Sequence, residues 1–265
     1  MYPFNYHRPQ SADDALALFK AAEDGIYLAG GQTLLPTMKQ RLAAPTDLID
    51  LCNVPDLRGI ELETQAVSVG ALTLHSEVAG HEGIRSALPV LSSLAGEIGD
   101  SQVRNRGTLG GSVANSDPAA DYPAAIVGLG ATIHTMDRSI EGDDFFKDLF
   151  ETALNPGELI TRICFPVPER AAYQKFPNPA SRYAIVGVLV ADFSGEIRVG
   201  VTGAGPCAFR ASGIEQVLNA DLNPESIDAV EVPESGFNND LHASAIYRAH
   251  LVKVMAKRAV ADLLN

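Results

Sequence analysis

The 265-residue chain reads as an α+β protein built from two units. Three observations carry that expectation. Residues 11–51 read helix–strand–turn–strand, a small α/β unit; residues 59–73 switch to apolar alternation; and Pro166 and Pro168 precede two long strands and a terminal amphipathic helix. With 46% hydrophobic residues and a mean hydropathy of +0.05, the composition is that of a soluble globular protein with ample core.

Taken in order, Ser11 precedes Ala12-Asp13-Asp14-Ala15-Leu16-Ala17-Leu18-Phe19. Acids in the first turn and apolar residues at helical spacing predict a helix capped by Ser11. Ile26-Tyr27-Leu28-Ala29 is expected as a short buried strand running into Ala29-Gly30-Gly31-Gln32-Thr33. Residues 33–41 can open a short helix whose start Pro36 restricts. Asp47-Leu48-Ile49-Asp50-Leu51 is the second strand. Ile60 and Leu62, then Val67, Val69 and Ala71, predict a hairpin turning near Glu63-Thr64-Gln65.

Residues 75–79 and 88–98 read as helices. Residues 99–121 read as a long loop holding a second glycine-rich segment, Gly107-Thr108-Leu109-Gly110-Gly111-Ser112; loops of such length inside a compact domain are usually functional. A helix over 124–129 and a strand over 132–136 follow. The boundary between the units is placed near residue 168. Beyond it, strands over 183–193 and 196–202 are joined by Ser194-Gly195. Residues 211–218 read as a helix, and 241–264 as a long helix carrying Arg248, Lys253, Lys257 and Arg258.

The formal net charge of −13 argues against nucleic acid or an anionic membrane surface as a partner. No apolar run reaches the roughly 18 residues that span a bilayer. Met1-Tyr2-Pro3-Phe4-Asn5-Tyr6-His7 has no signal-peptide pattern, so a cytoplasmic protein without a transmembrane segment is expected. Cys52, Cys164 and Cys207 are far apart and form no C-x-x-C pair, which fits small buried hydrophobes. His7, His75, His81, His134, His242 and His250 lack metal-ligand spacing, and no metal site is expected.

The two glycine-rich turns are the most informative feature. Glycine supplies positive φ and no side chain, so consecutive N–H groups can converge on a phosphate oxygen. Each turn is followed by hydroxyl or amide side chains, Gln32 and Thr33 in one case, Ser112 and Asn115 in the other. Together they point to one long ligand gripped at two places; tight bends between elements would use the same glycines. An acidic protein that binds a diphosphate has to neutralise it with backbone N–H groups and a few local cations.

These residues carry a resemblance spanning almost the whole chain. Ala29 to Pro36, the composite from Gln102 to Asn115, and Asp117-Pro118-Ala119-Ala120-Asp121 resemble the FAD-binding medium subunit of molybdenum hydroxylases, such as the carbon monoxide and xanthine dehydrogenases. Gly157-Glu158-Leu159-Ile160 and Arg182-Tyr183-Ala184-Ile185-Val186-Gly187 also look like that family. The resemblance implies a two-subdomain FAD-binding domain of the vanillyl-alcohol-oxidase (PCMH) type over 1–168, with subdomains of about 1–55 and 56–168. A small α+β domain like the carbon monoxide dehydrogenase flavoprotein C-terminal domain would cover 169–265.

It further implies noncovalent FAD, an electron-transfer subunit and no catalytic acid or base on this chain. A large subunit would hold molybdopterin and a small subunit the 2Fe–2S clusters, in a dimer of heterotrimers that passes electrons to an external acceptor. The scattered cysteines agree with iron–sulfur centres sited on another polypeptide. Ala29, Gly30, Gly31, Gln32, Thr33 and Leu34 would cradle the diphosphate; Thr108, Gly110, Gly111 and Ser112 would close on it from the other side.

Asp121, which reads by itself as a helix cap before Tyr122-Pro123, would accept from ribityl or ribose hydroxyls. Ile98 and Ile160, ordinary core by character, match positions that approach the cofactor. Lys175 is either a surface charge or a cation near the flavin N1–C2=O edge, where it would stabilise the anionic reduced ring. Arg104, Arg106, Asn105, Asp117 and Tyr183 remain undecided between site and surface or core. Two other readings stand beside the electron-transfer subunit: a free-standing FAD-dependent oxidase or reductase of the same fold, and a scaffold that has lost its flavin.

Overall fold

A computed structural model describes residues 1–265. Its opening unit comprises β1 (Asn5–His7), α1 (Ala12–Ala21), β2 (Gly25–Leu28), α2 (Leu34–Lys39) and β3 (Asp47–Asp50). The three strands pair in parallel in the order β1-β3-β2. Ser11 Oγ accepts from the Asp14 N–H at 3.1 Å, so α1 starts at the expected cap. Ala15 of α1 packs with Ile49, Leu51 and Leu57 in a small apolar cluster under the sheet. Strand β1 has no apolar alternation to announce it. Polar side chains dock it on β3 instead: His7 Nε2 lies 2.7 Å from Asp47 Oδ1, and the Tyr6 hydroxyl donates to Asp50.

The middle of the chain contributes β4 (Ile60–Leu62), β5 (Ala66–Gly70), α3 (His75–Gly80), α4 (Glu82–Ala87), α5 (Pro89–Gly96), α6 (Ser101–Arg104), α7 (Leu109–Asn115) and α8 (Tyr122–Leu129). It continues with β6 (Thr132–Thr135), β7 (Ser139–Glu141), α9 (Gly142–Phe145), β8 (Phe146–Asp148), β9 (Glu151–Thr152) and β10 (Ile160–Pro166). An antiparallel sheet runs β4-β5-β10-β6-β7, and β8 pairs with β9. The β4–β5 hairpin is the expected one, with Ile60 opposite Val69 and Leu62 opposite Val67. The sheet and helices α3, α5, α7 and α8 enclose the largest core cluster, built around Leu91, Leu94, Leu109, Ile126 and Phe165.

Residues 99–121 are not a long loop. Asp100 Oδ1 accepts from the Val103 N–H at 2.9 Å, and Thr108 Oγ1 from the Gly111 N–H at 3.2 Å; these caps start α6 and α7. The glycines at 107, 110 and 111 disguise the second helix as loop. Helix α4 also escapes the sequence reading; it begins where His81 Nδ1 accepts from the Ile84 N–H.

The last part comprises β11 (Arg170–Pro177), β12 (Ala184–Phe193), β13 (Glu196–Thr202), β14 (Phe209–Arg210), α10 (Ser212–Ala220) and α11 (Ala245–Leu264). The strands form an antiparallel sheet, β11-β12-β13-β14. Nearly all of β12 is buried because both faces are covered. Val186, Val188 and Val190 pack with Val252, Met255 and Ala256 of α11, while Leu189 and Ala191 join the core that holds α8. Strand β11 mixes Arg170, Gln174 and Lys175 with Ala171, Ala172, Tyr173 and Phe176, which hides its alternation. Helix α11 starts at Ala245, where Ser244 caps it, later than the expected 241. Arg248 is not part of a solvated basic face. Its guanidinium is buried, donating to the Ile185 and Gly203 carbonyls and to both oxygens of Asp240. No helix is long and apolar enough to cross a membrane.

Candidate functional site: a cleft between two glycine turns

The two glycine turns, distant in sequence, touch. A Cβ built on Gly30 would fall 2.2 Å from the Arg106 carbonyl oxygen and 2.7 Å from Gly107 Cα. One built on Gly111 would fall 3.4 Å from the Ala29 Cβ. Between the turns opens a cleft of about 750 Å³, within the range of small-molecule and cofactor sites. Its walls include every residue expected to hold a cofactor except Lys175.

The first turn carries free donors. Gly31, at φ +70°, reverses the chain as it leaves β2, and the Leu35 N–H bonds the Gly31 carbonyl at 3.1 Å to begin α2. The backbone N–H groups of residues 30–34 find no acceptor within the chain. Thr33, at the cap position, makes no side-chain cap bond either. A run of unpartnered amides at a helix start on a cleft wall is a binding surface for an anion.

The second turn is different, and it corrects the expectation that both turns offer amides. The Leu109 N–H donates to Thr73 O at 3.0 Å and the Gly110 N–H to Ala71 O at 2.8 Å. The Gly111 N–H is held by Thr108 Oγ1 and the Ser112 N–H by Thr108 O. A Cβ on Gly110 would meet the Ala71 Cβ at 2.5 Å, so glycine here seats α7 directly on the end of β5. This turn is a fixed wall. It presents the Thr108 N–H and the Ser112 hydroxyl, neither of which has a partner in the chain.

Asp121 does not use its side chain to cap α8. Its carboxylate is 4% exposed; Oδ1 accepts from the Tyr173 hydroxyl at 2.7 Å and lies 2.9 Å from Lys175 Nζ. Burial pushes the Asp121 carboxyl up, against the pull of Lys175 and Tyr173. Burial and the Asp121 charge raise the Tyr173 phenol well above its usual range. Lys175 is thus no surface charge. Its ammonium stands behind the cleft wall, also donating to Glu97 O at 3.1 Å, and reaches the cleft through Asp121.

Ile98 and Ile160 lie on the walls as expected. Arg104 Nη1 donates to Ile98 O and Gly99 O and braces the wall from behind, while Arg182, itself on the wall, donates from Nη1 to Gly99 O. Tyr183 and Asp117 line the cleft as well; burial raises both groups, with Asp117 and Asp121 adding to the effect on Tyr183. At the far end, Tyr27 stacks on Phe19 at 5.1 Å and donates to Gly157 O at 3.1 Å. Nearby, Arg138, Thr135 and the Asn155 N–H hold Glu158. These partners, Arg138 first, lower the Glu158 carboxyl to about 2.

Tyr27, His75, Glu158 and Arg182 all line the cleft and were not singled out from the sequence as ligand contacts. Tyr27 is an aromatic residue in the strand that leads into the glycine turn, and Glu158 and Arg182 lie in segments that resemble the family; His75 has no local signal. Cys52, Cys164 and Cys207 are half-buried and unpaired.

Comparison with known proteins gives a consistent picture. A family described as "FAD binding domain in molybdopterin dehydrogenase" matches residues 2–168. The glyceraldehyde dehydrogenase medium chain of Sulfolobus acidocaldarius is 34% identical, covering 99% of this chain and 100% of that one. The nicotine 6-hydroxylase medium subunit of Paenarthrobacter nicotinovorans is 34% identical over 97% and 96% of the two chains. Among solved structures, a chain of reconstituted CO dehydrogenase from Oligotropha carboxidovorans superposes with a TM-score of 0.91 at 35% identity, covering 98% of this chain and 97% of the other.

Proposed function

The chain belongs to the family of FAD-binding domains of molybdopterin dehydrogenases, and we propose from that premise that it holds FAD in the cleft between the two glycine turns. The observation that carries this reading is the run of unpartnered N–H groups at residues 30–34, facing a second turn that is locked in place. The donors suit a diphosphate, and they supply its compensation locally in a protein of net charge −13.

When bound, FAD would supply the redox chemistry between iron–sulfur centres on a small partner subunit and an external acceptor. This chain's residues bind, orient and tune. Ala29, Gly30, Gly31, Gln32, Thr33 and Leu34 hold the diphosphate by main-chain contact. Gly110, Gly111, Thr108 and Ser112 form the opposing wall, with Ser112 free to donate. Asp121 would accept from a ribityl or ribose hydroxyl, and Lys175 and Tyr173 hold its carboxylate in place. Ile98 and Ile160 pack on the cofactor, and Tyr183 flanks the cleft mouth.

The chain is the medium subunit of a multi-subunit molybdenum hydroxylase, as its relatives are. The finer assignment is a dimer of heterotrimers acting in the cytoplasm, with molybdopterin on the large subunit. A division into two units near residue 168 is part of the proposal, supported by the end of the family match there and the start of β11 at Arg170. Titrating the flavin-stripped chain with FAD tests the cofactor reading. Saturation at one FAD per chain supports it; no binding, with the chain folded, contradicts it. Co-purification with molybdenum- and iron-containing subunits tests the assembly.

A further inference from the structure

We propose that His75 donates a hydrogen bond from Nε2–H to an acceptor atom of the bound flavin nucleotide. The proposal rests on the FAD reading of the cleft and adds to it a residue that no glycine motif contains. His75 is the first residue of α3, is 4% exposed, and lines the cleft. A Cβ built on Gly107 would fall 2.6 Å from His75 Nε2, so that nitrogen lies directly against a residue of the cleft wall. The other nitrogen, Nδ1, is sealed from solvent with no hydrogen-bond partner. The Tyr122 ring covers the imidazole at 5.4 Å between centroids, and its own buried hydroxyl is also unpartnered.

The location of the proton follows from these facts. A neutral imidazole has one N–H and one lone pair. Placing the proton on Nδ1 would bury a donor without an acceptor, a rarer and costlier defect than an unused lone pair. The proton therefore sits on Nε2. A second proton is opposed by burial and by Arg104, which together lower the imidazole to about 4. His75 thus offers one fixed donor at the foot of the second turn, whose own amides are mostly consumed. Its complement is an acceptor: a flavin ring oxygen or nitrogen, a ribityl oxygen or a phosphate oxygen.

The test uses the full chain labelled with 15N-histidine, observed by NMR without and with FAD. The expected result is an Nε2-protonated tautomer in both states and a shift of the Nε2 resonance on FAD binding. An Nδ1-protonated tautomer, or His75 resonances indifferent to FAD, overturns the proposal. Variants add a second readout. His75→Leu removes the donor and is expected to weaken FAD binding about tenfold. His75→Gln, which returns an N–H near the Nε2 position, should stay within about threefold of the parent. Equal loss in the two variants, both folded, also overturns the proposal. Failure of the parent chain to bind FAD would instead remove the cleft reading itself, so the two failures are distinguishable.

Discussion

The two glycine turns look alike in sequence and do opposite things. The first leaves its amides at residues 30–34 without partners; the second spends those of residues 109–112 on Ala71, Thr73 and its own Thr108. One is a surface prepared for a ligand and the other is a support that holds the surface in position. Glycine is needed in both, for different reasons. In the first turn it lets the backbone lie against Arg106 and Gly107, and in the second it lets α7 sit on Ala71. A glycine-rich motif therefore reports close approach, and the hydrogen-bond ledger decides what approaches.

The largest effect is expected at the contact between the turns. Gly30→Val places its Cβ into the Arg106 carbonyl, which cannot move without shifting the second turn. The variant should lose FAD by more than about a hundredfold, together with several degrees of thermal stability. Retention of FAD with parent affinity, read from flavin absorbance after dialysis, would break the comparison at its foundation.

Next come the supports. His75 is held neutral, with its pKa lowered from 6.5 to about 4 by burial and Arg104. Between those values the unfolded chain binds a proton that the folded chain refuses. Its contribution is therefore intact above pH 6.5 and is lost as pH falls toward 4, by at most about 3 kcal/mol. Denaturant unfolding of the parent and His75→Gln at pH 7 and pH 4.5 checks this: the parent should lose more stability than the variant. A parallel pH response would show that the imidazole titrates freely.

Gly110→Ala tests the second turn alone. Its Cβ would overlap Ala71, and the FAD-free protein should lose about 2 kcal/mol. Any loss of FAD affinity should follow from the shifted wall. An apoprotein with unchanged unfolding midpoint would show that the turn is not the support described. The smallest effect belongs to Thr33→Ala. The Thr33 side chain caps nothing, and the first turn acts through main-chain N–H groups. FAD affinity should change by less than about threefold and stability by less than about 0.5 kcal/mol. A large loss of affinity would move the binding energy from backbone to side chain.

The sequence made much of this architecture legible where local chemistry acts alone. Ser11 announces α1, the Val67–Val69 alternation announces β5, and the glycines of residues 29–33 and 107–112 mark both turns. Elements held by tertiary contacts stayed hidden. Strand β1 depends on Asp47 and Asp50 for its docking, and β11 presents polar residues whose partners are Asp192 on the neighbouring strand and Asp121 before α8. The difference between the turns was invisible for the same reason: Ala71 and Thr73, which consume the second turn's amides, lie on another strand end. His75 carried no motif, and only its burial against Gly107 and Tyr122 distinguishes it from the chain's other histidines.

Residue-resolved hydrogen exchange on the full chain, with and without FAD, bears most directly on the division of labour between the turns. Amides 30–34 should exchange rapidly in the stripped protein and become protected when FAD is added, while those of residues 109–112 are protected in both states. Protection gained at 109–112 with 30–34 unaffected would reverse the roles of the two turns and contradict the account.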